Sequence, residues 1–185
     1  MLRNNIRVQI KSSHPNFQGL INPILIRSGM GLSERFRYGV AKIILDYPLT
    51  WALKQLEQLN SIERSQTLVA TQSDNPIYKD CLASFHLSGV VNSTNERAVL
   101  SAIYAAASAQ RTYQRQSGLT YMELRVTRLL LKGYDTKNVS EELRISHKTV
   151  NAHISNILCK HGYDSRAQYI AVLMGSGMNE PCFEI

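Results

Sequence analysis

The sequence predicts two units of different class. Residues 1–110 read as an α/β unit, a doubly wound but shortened parallel sheet, and residues 119–175 as an all-α unit of four short helices built on a helix-turn-helix. Three observations carry this. Apolar, β-branched runs alternate with helical spacings through the first unit, the pattern of a parallel sheet covered on both faces. From Leu119 onward the apolar stripes have helical period, closely punctuated by caps and stops. Between the two, residues 111–118 (RTYQRQSG) are polar and aperiodic and end in Ser-Gly, as an interdomain linker would.

In chain order, residues 6–10 (IRVQI) form a strand and residues 17–25 suit a helix, although Pro23 argues against its later part. The run 41–45 (AKIIL) is a strand ended by Asp46, and residues 49–59 have helical spacing through Leu53, Leu56 and Leu59. Residues 67–71 (TLVAT) give another strand, 76–87 a helix, 89–91 a strand, and 95–111 a long Ala-rich helix. In that last helix Val99, Ile103 and Ala106 line up, either as a core-facing stripe, the reading favoured here, or as a pairing surface. The Gly- and Arg-rich stretch 29–40 has no assignment.

The all-α unit opens at Thr120, which with Glu123 makes a capping box. Met122, Val126, Leu129 and Leu130 give the buried stripe of the first helix, and Gly133 is its natural stop. A short helix over residues 136–143 follows, with Asp135 as N-cap and Val139 and Leu143 facing inward. The tight turn Arg144-Ile145-Ser146 delivers Ser146 as N-cap of a third helix, closed by Gly162. Asp164-Ser165 starts a fourth, with Ala167, Ile170, Ala171 and Met174 on one side. The end of the chain, 176–185, contains Gly and Pro without period and reads as a mobile tail.

The third helix, SHKTVNAHISNILCKH, has two separate faces. Val150, Ile154, Ile157 and Leu158 form one apolar stripe. Lys148, Asn151, Ala152 and Ser155 repeat on another, and they are short, polar or small, with one cation. A surface of that kind can approach base edges in a major groove without steric or charge conflict, whereas a helix needing only solubility would more often carry Glu and Lys there. The spacing therefore predicts a recognition helix.

Composition agrees and excludes several alternatives. Hydrophobic residues make 44% and charged residues 19%, enough for packed cores. No apolar run reaches membrane-spanning length and no secretory signal follows Met1, so a cytoplasmic protein is expected. Cys81, Cys159 and Cys182 form neither a disulfide framework nor a metal motif. The histidines show no metal-ligand spacing, and neither a catalytic motif nor a cofactor motif stands in the chain. The net charge of +7 suits a polyanion partner but is spread out, +4 over residues 1–110 (11 basic, 7 acidic) and +3 over residues 111–185 (10 basic, 7 acidic). Charge alone is weak evidence for nucleic acid; the helix pattern carries the case.

The run from Leu119 to about Met174, and ISHKTVNAHISNIL with the following Lys160 and Gly162 in particular, resembles the DNA-binding domain of LuxR/NarL-type bacterial transcription regulators. The resemblance implies that Asn151, Ala152 and Ser155 read bases. It also implies that Lys137, Ser146, Lys148, Thr149, His153 and Lys160 contact phosphates or brace the helix, and that Ala167, Ile170 and Met174 make a dimer contact. The chain departs from that family where basic residues are usual, at Asn151 and Cys159, and where acidic ones are, at His147 and Asn138. Losing cations from the reading helix weakens nonspecific affinity, because each phosphate contact contributes through counterion release.

Residues 1–110 resemble a response-regulator receiver domain, RcsB-like and degenerate. Ser12 and Ser13 stand before His14-Pro15 where two acidic residues belong, Asp46 ends a strand where the phosphorylated aspartate belongs, Thr71 ends the next, and Asn92 stands where lysine is usual. The distance from Ser13 to Asp46 is short for the family, so one strand–helix unit is expected to be reduced or missing. Aspartyl phosphorylation needs a divalent cation to neutralise the phosphoryl oxygens, and Mg²⁺ demands carboxylate ligands that serines replace poorly. Asp46 is thus expected to be a vestigial phosphoacceptor, an ordinary strand-end aspartate left by the fold.

The expected function is a sequence-specific DNA-binding transcription regulator, not an enzyme. It would act as a dimer on double-stranded DNA, independently of phosphorylation and without a cofactor, metal or membrane. The alternative is an interaction protein that heterodimerises with a related regulator and modulates its DNA binding. A small-molecule sensor of the quorum type is disfavoured, since the first unit shows no aromatic-lined pocket pattern and Trp51 is the one tryptophan; no small-molecule ligand is expected.

Overall fold

A computed structural model describes residues 6–14, 17–33, 40–108 and 110–175. The N-terminal half is a five-stranded parallel sheet, β1 (Arg7–Lys11), β2 (Gly31–Leu32), β3 (Val40–Asp46), β4 (Thr67–Thr71) and β5 (Gly89–Asn92), in the order β2-β1-β3-β4-β5. That order reverses between β1 and β3, the switch point of a doubly wound sheet. Helices α1 (Phe17–Arg27) and α5 (Glu96–Ala107) cover one face, and α2 (Trp51–Glu57) and α4 (Pro76–Ala83) the other, while the short α3 (Ser61–Ser65) buries no residue. Alternate residues of the central strands serve the two faces: Ile43, Leu45, Leu68 and Ala70 point to α1 and α5, Ile44 and Val69 to the opposite layer.

The reduced unit is the second one. β2 survives as two residues paired to β1 (Arg7↔Gly31, Val8↔Leu32), and residues 33–39 alone lead on to β3. A parallel crossover ordinarily takes a dozen residues or more, usually with a helix. The strand that Asp46 ends begins at Val40 and, with β2 before it, is the third of the chain. Helix α1 runs through Pro23 to Arg27, contrary to the expectation that proline would end it. Ile21 and Leu25 are buried on this helix, and the carbonyl of Gly19 that Pro23 leaves without a donor lies at an exposed residue, where water can serve it. Val99, Ile103 and Ala106 of α5 are buried against the sheet, so that stripe faces the core and is not a free pairing surface.

The C-terminal helices are α6 (Tyr121–Leu131), α7 (Thr136–Leu143), α8 (His147–His161) and α9 (Arg166–Gly175). Their ends are those the sequence predicts. The Thr120–Glu123 capping box is present on both sides, the Asp135 side chain accepts from Asn138 N at 2.8 Å, and that of Ser146 accepts from Thr149 N at 3.1 Å. Gly133 (φ 86°) and Gly162 (φ 69°) occupy the left-handed region that ends a helix. One expectation fails within α6. Met122 is only half-buried, and Leu124, Val126, Thr127, Leu129, Leu130 and Leu131 are all buried, because this helix packs on two sides.

The second side of α6 meets α4. Cys81 Sγ lies 3.9 Å from the Leu124 carbonyl oxygen, Arg128 stacks over Phe85 at 4.2 Å, and Lys132 pairs with Glu57 at 3.0 Å. Burial raises the Cys81 thiol well above its ordinary value and lowers the Arg128 guanidinium. One continuous apolar cluster runs from α2 and α4 into α6, α8 and α9. The linker is pinned as well. Asp80 of α4 is fully buried, and its carboxylate accepts from Tyr113 Oη (2.9 Å), Gln116 N (3.1 and 3.0 Å), Ser117 N (2.8 Å) and Ser117 Oγ (2.6 Å).

Candidate nucleic-acid interface

Helix α8 is held from one side and open on the other. Val150 and Ile157 have no exposure, Ile154 is buried and Leu158 half-buried, all packed into the cluster with α6, α7 and α9. Lys148, Asn151, Ala152 and Ser155 are all exposed, together with Asn156 and Cys159. The helix starts on Ser146, whose hydroxyl also shares a 2.8 Å hydrogen bond with that of Thr149. Both hydroxyls thus sit at the exposed N-terminal end of α8, where unpaired backbone N–H groups favour an anion. Lys137 of α7 is exposed nearby in sequence, and His153 is half-buried.

Lys160 has a different placement from the one expected of a phosphate contact. Its ammonium donates to both carboxylate oxygens of Glu123, at 2.9 and 2.7 Å. Glu123 is the capping-box residue of α6, so one ion pair ties the start of α6 to the end of α8. Burial alone would push the Glu123 carboxyl up, but the Lys160 ammonium and the Thr120 donors outweigh it and hold it below its ordinary value. The geometry makes Lys160 a brace.

Helix α9 docks through Tyr169 and Leu173, both fully buried, and the Tyr169 hydroxyl is 2.8 Å from that of Thr127. Arg166 donates to the Tyr134 carbonyl oxygen. Ile170 and Met174 are half-buried and pack against the same cluster, while Ala167 and Val172 are exposed on the other side of α9. The tail, 176–185, lies outside the described residues.

The receiver-like crevice at the ends of β1, β3 and β4 is closed around Asp46, which is 2% exposed. Its Oδ1 accepts from Ala52 N (2.9 Å), and its Oδ2 accepts from Thr71 Oγ1 (3.1 Å) and Tyr78 Oη (2.6 Å). Tyr78, itself fully buried, accepts in turn from Thr50 N at 2.7 Å. Burial raises the Asp46 carboxyl above its ordinary value, against the lowering effect of these donors. Ser12 and Ser13 bond to backbone, at His14 and Tyr47. Asn92 reaches Asp74 at 2.9 Å instead of a phosphoryl site. Among the described residues no group of three or more His, Cys, Asp or Glu could hold a metal ion. These residues do not fit the Mg²⁺ that receiver chemistry requires. Sequence reasoning missed Tyr78, which stands 32 residues from Asp46, and no local signal points to it.

A doubly wound sheet followed by four helices that present one polar helix face is an α/β unit joined to a helix-turn-helix. The model of the family "Bacterial regulatory proteins, luxR family" matches residues 117–173. The spore germination protein GerE of Bacillus subtilis (strain 168) is 38% identical over 68 residues, which is 37% of this chain and 92% of GerE. The chain belongs to the luxR family of bacterial regulatory proteins. Its whole fold is similar to that of RcsB from Salmonella enterica serovar Typhimurium bound to promoter rprA, with a TM-score of 0.61 at 16% identity, over 91% of this chain and 98% of that one. A structure of two RcsB dimers bound to two parallel DNAs gives a TM-score of 0.60 at 17% identity, over 92% of this chain and 100% of that one. No helix among the described residues is long and apolar enough to cross a membrane.

Proposed function

We propose that this protein is a sequence-specific transcription regulator that reads double-stranded DNA as a dimer, with residues 119–175 as the DNA-binding domain and residues 1–110 as a phosphorylation-independent interaction domain. The observation that carries this is α8 itself: its aliphatic side is sealed in the bundle while Lys148, Asn151, Ala152 and Ser155 stand exposed. Asn151 and Ser155 supply hydrogen-bonding groups to base edges, and Ala152 supplies a small apolar contact. Lys148, Lys137 and the hydroxyls of Ser146 and Thr149 hold the phosphate backbone, with His153 at the rim. The pinning of α4 to α6 leaves that face uncovered, so no phosphoryl switch is needed to release it.

Dimerisation uses α9, through exposed Ala167 and the parts of Ile170 and Met174 that the core leaves uncovered. One short helix reads few base pairs, and two-fold pairing doubles the contacts. A second reading, heterodimerisation with a related regulator, is favoured by one feature. Of the two lysines on α8, Lys160 is committed to Glu123, leaving Lys148 as the free cation and stand-alone affinity low. Selection of bound sequences from a random duplex pool, followed by footprinting, tests both. A protected, enriched motif with the purified protein alone supports the homodimer. Protection only after a related regulator is added supports the heterodimer, and none under either condition refutes DNA reading.

A further inference from the structure

We propose that the seam between the two halves is a binding site for a small aromatic anion. A cavity of about 360 Å³ opens there, between the end of α4, the start of β5, the linker and the first residue of α6. That volume is in the range of small-ligand pockets, which favour junctions between domains. Its walls and rim come from His86, Tyr113, Tyr121, Arg111 and Arg115, and no acidic side chain lines it. Arg111 and Arg115 are exposed, and neither forms an ion pair with a described residue. Two guanidinium groups without a carboxylate partner at one opening suit a carboxylate or phosphate, which they can grip in a bidentate way. The aromatic walls supply faces for a ring.

His86 adds an independent observation. It follows α4 with φ 64°, a left-handed conformation where glycine would be cheaper, and its ring stacks on Tyr121 across the seam at 6.4 Å and 28°. Tyr113 is fixed from behind by Asp80, which orients its ring as a wall. The expectation that no small molecule binds came from the absence of a pocket pattern in the first unit; this cavity is assembled from both halves and has no signature in either. The inference concerns free protein and stands apart from the reading of α8.

The test is calorimetric titration of the full chain with 2-hydroxybenzoate and with adenosine 5′-monophosphate, alongside benzyl alcohol and inorganic phosphate. Binding of one or both aromatic anions with a Kd below about 1 mM, with neither control binding, supports the proposal, and which anion wins separates a carboxylate site from a nucleotide site. The double variant Arg111→Gln/Arg115→Gln changes only exposed side chains and should weaken that binding at least about tenfold. No binding of either anion, or binding that this variant leaves unchanged, overturns it. So does a variant that lowers DNA affinity and its salt dependence in a protein that binds neither anion, since the arginines would then serve a phosphate backbone.

Discussion

Replacing Asp80 by alanine removes the side-chain acceptor that holds Tyr113, Gln116 and Ser117 of the linker to the N-terminal half; the Ser88 carbonyl, which accepts from Thr112 N at 2.8 Å, is left in place. Four donors lose their partner: the hydroxyls of Tyr113 and Ser117 and the backbone N–H groups of Gln116 and Ser117. A hydrogen bond to a charged group is worth about 1.5–3 kcal/mol. Gln116 is exposed and Tyr113 half-buried, so their donors can turn to water, whereas Ser117 is buried. The two Ser117 bonds therefore dominate. Relief of the desolvation of a fully buried carboxylate offsets part of the loss, which leaves a net destabilisation of about 2–4 kcal/mol. For a chain of this length that corresponds to a fall in Tm of roughly 4–16 °C. Thermal unfolding measures the shift, and limited trypsin digestion locates it, because Arg115 lies within the released segment and Arg111 just before it. Asp80→Asn keeps one acceptor for Ser117 N and should lose about half as much. An Asp80→Ala protein with an unchanged Tm and no faster cleavage after Arg111 or Arg115 would show that the clamp contributes nothing.

Lys148→Ala should lower affinity for all duplexes and flatten the salt dependence by about one phosphate equivalent, whereas Lys160→Met should cost about 1–2 kcal/mol of stability and leave the salt slope alone; salt titrations of both variants decide it, and an equal slope change for Lys160→Met would return that residue to the phosphate backbone. Acetyl phosphate with Mg²⁺ should add no phosphoryl group by intact mass, since both Asp46 oxygens are engaged; a clean single addition at Asp46 refutes this. Because the Asp46 carboxyl is raised above its ordinary 3.8 in the fold, its ionisation costs stability as pH rises through the folded value. Asp46→Asn should therefore be at least as stable as the parent at neutral pH, an advantage that fades in acid and is read by urea unfolding at the two pH values. Glu123 has the opposite sign. Its carboxyl is held below the ordinary 4.5, so its contribution is complete above that pH and lost on acidification through the folded value. The stability difference between the parent and Glu123→Gln should shrink as pH falls below 4.5.

The C-terminal half was legible because its signals are local. The residues that begin and end α7 and α8 are caps and stops within one turn of the elements they bound, and helical period picks out Val150, Ile154 and Ile157. Met122 misleads for a tertiary reason: a single-stripe helix was assumed, while α4 buries a second side of α6. In the other half the failures follow non-local pairing. Two residues such as Gly31 and Leu32 become a strand only because β1 lies beside them, and Pro23 is tolerated because Ile21 and Leu25 bury their side chains around it. Helix α3 has no place in the sequence reading, although Asn60 and Glu63 stand at capping-box spacing and form the two reciprocal bonds at 2.9 and 3.1 Å. For the site, the exposed face of α8 followed from periodicity. The closure of Asp46 by Tyr78, the pinning of Ser117 by Asp80 and the pairing of Lys160 with Glu123 all span more than 30 residues. Local pattern can single out Glu123 or Asp46, but nothing local says which distant residue each will meet.

The account stands most directly on base reading by α8, and equilibrium binding of Asn151→Ala to a panel of duplexes, each altering one base pair of the selected motif, tests it. Loss of roughly 1–3 kcal/mol of discrimination at one base pair per half-site, with the other positions and nonspecific duplex unaffected, is the predicted result. An equal loss on every duplex, or no change on any, would contradict it.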